Sequence, residues 1–233
     1  MLKFKICLQA WLILSTMCFP VSAQNRIRDY YTATDLSGFR NYALFNEVID
    51  LDHIDNARMN AVIFFLTNEI RVNNHLSPLD YSPQLEKSAT MHALDMVQGN
   101  FFSHINPKNK EKKTPNDRAR LCQISNPYLA ENIIEGYGLQ YVSNETVYLR
   151  GKGRFSSSPD GELLKPHTYL SLGESFVQRW MNSKDHRKNI LAKEALQMGC
   201  GTANYTDGEF NDMPSLKAVQ NFQWFKPVIP VKQ

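Results

Sequence analysis

The chain has 233 residues, 42% of them hydrophobic and 11% aromatic, with only 11 glycines and 11 prolines. That composition supports a packed core and excludes collagen-like, low-complexity and disordered classes. Twenty-six Lys and Arg against 23 acids give a formal charge of +3, and the longest basic stretch lies within residues 108–113, so no nucleic-acid partner is expected.

Residues 1–23 begin with Lys3 and Lys5, continue through an apolar stretch around Ala10, Trp11, Leu12, Ile13 and Leu14, and end in Val21-Ser22-Ala23. This three-part layout predicts a secretory signal peptide cleaved near Ala23, hence a secreted or periplasmic protein. The apolar segment is shorter than the 18 or so residues a membrane span needs, and Pro20 closes it, so the mature chain is expected to carry no integral membrane segment. Cys18 follows Met17, which is the wrong neighbour for a lipoprotein anchor. Loss of Lys3 and Lys5 lowers the formal charge to +1 over the remaining 210 residues. Of the four cysteines, Cys122 and Cys200 remain. In an oxidising compartment two such residues usually form a disulfide; the alternative is two buried thiols.

Residues 24–54 carry Tyr30, Tyr31, Phe39, Tyr42 and Phe45 without a sustained period and read as an arm that packs on a domain. From Asp55, Met59, Val62, Ile63, Leu66 and Ile70 recur at helical spacing, predicting an amphipathic helix that ends near Asn73-Asn74. Ser82 and Pro83 start a second helix, which places Leu85, Ala89, His92 and Met96 on one face and stops at Gly99. A polar loop over 101–116 follows, then a short helix from Thr114-Pro115-Asn116 to about Cys122. Another element begins around Leu129. Residues 146–155 alternate like an edge strand, and 156–165 read as a loop. A helix over 173–183 puts Phe176, Trp180 and Ser183 on one face, and the strands 198–205 and 216–224 close the chain. Helices first and strands last predict an α+β layered domain.

Three ionisable residues stand at element boundaries: His104 after an aromatic segment, Glu131 where a loop enters a new element, and His186 just beyond the Trp180 helix. Two imidazoles and a carboxylate suit a divalent metal of borderline softness and equally suit general acid/base work. Their spacing, 27 residues and then 55, by itself favours purely structural hydrogen bonding. His92 reads as a core histidine, while His53, His75 and His167 lie in polar context.

The order of short motifs adds to this. Thr67-Asn68-Glu69-Ile70-Arg71, Met91-His92-Ala93-Leu94-Asp95-Met96, Phe101-Phe102-Ser103-His104, Ala130-Glu131-Asn132-Ile133, Trp180-Met181-Asn182-Ser183 leading into His186-Arg187-Lys188-Asn189-Ile190-Leu191, and Met198-Gly199-Cys200-Gly201 appear in sequence. Together they resemble the CAP superfamily of cysteine-rich secretory, antigen 5 and pathogenesis-related proteins, in its bacterial SCP-domain branch. The resemblance implies an α-β-α sandwich with a small central mixed sheet over residues 55–225, an insertion at about 138–172 and a tail at 226–233. It also implies an open cavity lined by His104, Glu131, Ser183 and His186, with Ser183 at a position that holds an acid in eukaryotic relatives. Glu174, the nearby upstream acid, points off that face. One carboxylate fewer implies a weakly held divalent cation, zinc first, on His104 and His186.

Two functions follow, beside a purely structural role. One is a secreted domain whose cavity binds a cell-envelope or extracellular ligand, a lipid, glycan or protein, with or without the cation. The other is a metal-assisted hydrolase, a protease or cell-wall hydrolase, in which Glu131 activates water. No nucleophile with an adjacent base is evident, which favours the binding role.

Overall fold

The computed structural model describes residues 30–126, 128–142 and 145–224. The signal peptide with its cleavage site and the 226–233 tail lie outside those residues. Among the described residues no helix is long and apolar enough to cross a membrane.

A one-turn helix α1 (Ala43–Asn46) precedes the long α2 (Asn56–Asn73). The Asp55 carboxylate caps α2 by accepting from the Arg58 amide at 3.1 Å, and the helix stops where His75 turns to φ 59°. After the two-residue strand β1 (Asp80–Tyr81), Ser82 caps α3 (Pro83–Gln98), with Pro83 in the first turn. The short α4 (Pro115–Leu121) starts in a Thr114/Asp117 capping box. Then come β2 (Leu129–Tyr137), the hairpin of β3 (Tyr148–Gly151) and β4 (Arg154–Ser156), α5 (Tyr169–Asn182), α6 (Lys184–Ile190), β5 (Gln197–Asp207) and β6 (Met213–Gln223).

The main sheet runs in the order β1-β5-β6-β2. β6 lies between β2 and β5, antiparallel to both, and β1 adds a short parallel edge to β5. Side-chain alternation separates two helical layers. Ile134, Cys200, Leu216, Ala218 and Phe222 face the cluster formed by Met59, Ile63 and Leu66 of α2 with Phe176 and Trp180 of α5. Their neighbours Ile133, Ala203 and Val219 face Ala89, Ala93 and Met96 of α3. The result is an α-β-α sandwich around a mixed sheet, the expected α+β class. Phe39, Phe45 and Ile49, from the segment before α2, are fully buried in the α2/α5 layer.

Two features place the later chemistry. Gly199 and Gly201 let the α3 backbone lie directly on β5, since a Cβ at either position would sit 2.0 Å from the Glu86 or Thr90 amide nitrogen. β2 is an edge strand, and α5 covers part of its outer side: the Trp180 indole donates to the Ile133 carbonyl at 3.1 Å and Arg179 donates to the Glu135 carbonyl at 2.8 Å. Unpaired strand edges are thereby masked by side chains.

The expected Cys122–Cys200 disulfide is corrected: both are free buried thiols. Cys200 belongs to the sheet face that meets α2, whereas Cys122 ends α4, whose Ala119 packs with Leu85 of α3 in the other layer. A disulfide needs closely approaching Cβ atoms, which side chains committed to opposite layers do not offer.

Candidate functional site

Glu131 and Asn132 are neighbours on β2 and therefore point to opposite faces of the sheet. Glu131 turns toward the α3/α4 layer and is buried. Its Oε1 lies 2.9 Å from His104 Nδ1, and its Oε2 accepts from Arg118 Nη2 at 2.7 Å. With its amide nitrogen toward the carboxylate, Asn221 on β6 donates to Oε2 at 3.2 Å. His92 from α3 brings its Nε2 within 3.8 Å of Oε1 while hydrogen bonding the Ser103 carbonyl at 2.9 Å. Burial alone would raise the Glu131 pKa, but His104, Arg118 and His92 together hold it below the ordinary carboxylate value. An ionised carboxylate only accepts, so His104 Nδ1 carries the proton of the neutral ring and Nε2 is left with its lone pair. The His104 side chain is 46% exposed, against 2% for Glu131.

The other half comes from the opposite layer. Asn132 donates to the His186 carbonyl at 3.2 Å and accepts from Asn189 at 2.8 Å, which fixes α6 to β2. The His186 imidazole is half-buried; burial, and then the nearby His104, lower its pKa, so it is held toward the neutral form. His104 thus acts on His186 although the two expected histidines arrive from different layers. Ser183 is the joint between α5 and α6, its amide bonded to the Trp180 carbonyl at 3.1 Å. It is half-buried, unlike Phe176 and Trp180, because the chain turns there into a new helix. Glu174 points away from the site and pairs with Arg40 at 2.6 Å.

Of the expected site residues, the side chains that could donate to a cation are the two imidazoles of His104 and His186. Among the described residues no group of three or more His, Cys, Asp or Glu side chains is arranged to hold a metal. Glu131 is not an available third ligand because His104, Arg118 and Asn221 occupy both its oxygens. It stands behind His104, in the way carboxylates orient metal-binding imidazoles. Beside α6 lies a surface cavity of about 580 Å³ whose lining includes Asn189, Leu191, Ala192 and Trp224.

Sequence reasoning missed Arg118 and gave His92 too small a part. Arg118 is fully buried, and besides Glu131 its two terminal nitrogens reach the carbonyls of His104 (3.3 and 3.2 Å), Lys112 (3.0 Å) and Lys113 (3.4 Å). It follows the capping Asp117 on a short charged helix, where nothing local in the sequence marks it as buried. His92 lies on the apolar face as expected, yet it closes on Glu131 and its Nδ1 has no partner among the described residues.

An α-β-α sandwich whose edge strand β2 carries a buried carboxylate, bracing the His104 imidazole from the loop after α3, defines the class of protein. A model of the CAP family, described as the cysteine-rich secretory protein family, matches residues 64–222, and the chain belongs to that family. It is 29% identical over 136 residues to the uncharacterized protein YkwD of Bacillus subtilis (strain 168), covering 58% of this chain and 39% of that one. It is 27% identical over 139 residues to the uncharacterized membrane protein YlbC of the same organism, covering 60% of this chain and 30% of that one. The match therefore spans well under half the length of these curated relatives. Among solved structures, an extracellular protein containing a SCP domain from Bacillus anthracis str. Ames aligns with a TM-score of 0.48 and 25% identity, over 72% of this chain and 40% of that chain.

Proposed function

We propose that this chain is an exported binding domain that takes up a cell-envelope or extracellular ligand, a lipid, glycan or protein, at the outer edge of β2. His104 and His186 contribute two imidazole nitrogens, which contact the ligand or hold one weakly bound divalent cation, zinc first. When bound, the cation would supply a Lewis-acidic anchor for an oxygen of the ligand. Ser183, at the α5/α6 joint, lies three residues from His186.

The observation that carries this reading is the state of Glu131. A water-activating base needs a free lone pair and a pKa near the working pH. Here the carboxylate accepts from three donors and is held below its ordinary pKa. That arrangement suits a group that fixes the His104 ring, and it disfavours the hydrolase alternative. Zinc titration by calorimetry tests the assignment. Binding is expected in the wild-type protein and is expected to disappear in His186→Ala; undiminished binding in that variant would sink the assignment.

A further inference from the structure

Arg118 is joined to His104 in two ways. Through Glu131 it reaches the ring: Nη2 holds Oε2 at 2.7 Å while Oε1 holds His104 Nδ1 at 2.9 Å. Directly, it reaches the main chain: Nη1 and Nη2 both donate to the His104 carbonyl, and Nη1 also reaches the Lys112 and Lys113 carbonyls. The loop between these carbonyls closes on itself, with the Asn106 amide donating to the Lys113 carbonyl at 2.8 Å. One buried guanidinium therefore fixes both ends of the loop that begins at His104, and it also fixes the carboxylate that orients the His104 imidazole.

We propose that Arg118 is the positioning residue of this site, setting the tautomer and the placement of His104 without touching a ligand. The proposal deepens the binding function above and rests on His104 being the group that meets the ligand or cation. The planar fork matters as well as the charge: a guanidinium serves a carboxylate and several carbonyls at once, whereas an ammonium is a point charge on a flexible stem. Arg118→Lys thus keeps charge compensation for Glu131 and gives up the carbonyl clamp, while Arg118→Met gives up both.

The test uses the intact protein labelled with ¹⁵N, with histidine side-chain spectra at a pH where the rings are neutral and amide exchange measured at Asn106. The wild-type protein is expected to show His104 in the Nδ1–H tautomer and a protected Asn106 amide. Arg118→Lys should keep that tautomer while Asn106 exchanges at least about tenfold faster. Arg118→Met should give both tautomers. Removal of one partner from a buried pair can prevent folding, in which case Arg118→Lys decides alone. An Arg118→Lys protein matching wild type at Asn106, or a folded Arg118→Met protein that keeps the single tautomer, would overturn the proposal. Zinc calorimetry on the same samples keeps the two ideas apart. If the wild-type protein binds no zinc, the cation assignment fails while the tautomer and exchange data still judge Arg118. If it binds, both variants should bind roughly 10- to 100-fold more weakly.

Discussion

His92 is held neutral by burial, which with a smaller push from Arg118 lowers its pKa to about 4 against the pull of Glu131. An unfolded chain would protonate the same ring near its ordinary value of about 6.5. Between those values the unfolded state binds the extra proton, so the stability contributed by His92 is present above about pH 6.5 and is lost as the pH falls toward 4. The amount is roughly 3 kcal/mol for the full interval. Glu131, whose folded pKa is depressed, contributes stability that is present above the ordinary carboxylate range and disappears below it, which extends the acid loss further. Urea unfolding between pH 7 and pH 4.5 should therefore show a steep decline in the wild-type protein and a shallower one in His92→Gln. Parallel declines in the two proteins would contradict this account of His92. Of the groups involved, His104, Glu131 and His186 were legible in the sequence because they stand at element boundaries within recognisable motifs. Arg118 was not, because a short helix bearing Asp117 and Arg120 reads as a charged solvent face. Its burial comes from β2 and the 104–113 loop closing over it, which no local pattern records.

Local signals placed most of the helices well. The cap at Ser82 with Pro83, the capping box at Thr114 and the apolar period from Met59 locate α3, α4 and α2 within a residue or two. Where local chemistry is quieter the reading was coarser. α5 begins at Tyr169, four residues before the expected start, because Thr168 and Ser171 form a capping box ahead of it. The single edge strand expected over 146–155 is a hairpin, turned at Lys152-Gly153 with Gly153 at φ 64°. Ser183 is on no continuous helical face, since the chain bends there into α6. The tightest contact between elements is the one least visible in composition: Gly199 and Gly201 under α3. Their neighbours on the far side of the contact are backbone atoms of Leu85, Glu86, Ala89 and Thr90, which cannot rotate away. Gly201→Ala should therefore force α3 off the sheet and destabilise the protein by about 3 kcal/mol, a fall of roughly 6–12 °C in Tm. A thermal melt within a degree or two of wild type would show that α3 can shift without cost.

The two layers of the sandwich also decide the chemistry of the cysteines. Burial raises both thiol pKa values, strongly for Cys200, so neither is a ready thiolate. Native protein should leave Cys122 and Cys200 unmodified by an aromatic disulfide reagent at neutral pH, and both should react once urea is added without reductant. Peptide mapping that finds the two joined would refute the layered separation. The segment before α2 shares this architecture: Phe39, at 1% exposure, and Phe45, at 0%, complete the same core as Trp180. The arm is thus part of the core it packs on. The sequence reading saw its aromatics but not their depth, since the partners lie on α2 and α5. β6 carries one more consequence. It is the last described strand along the chain, yet it occupies the middle of the sheet and provides the partner for every residue of β2 and β5. During synthesis β2 must wait more than 70 residues for that partner to be made. Closure of the sheet is a late, long-range event, and the nascent chain stays open until Met213–Gln223 has emerged.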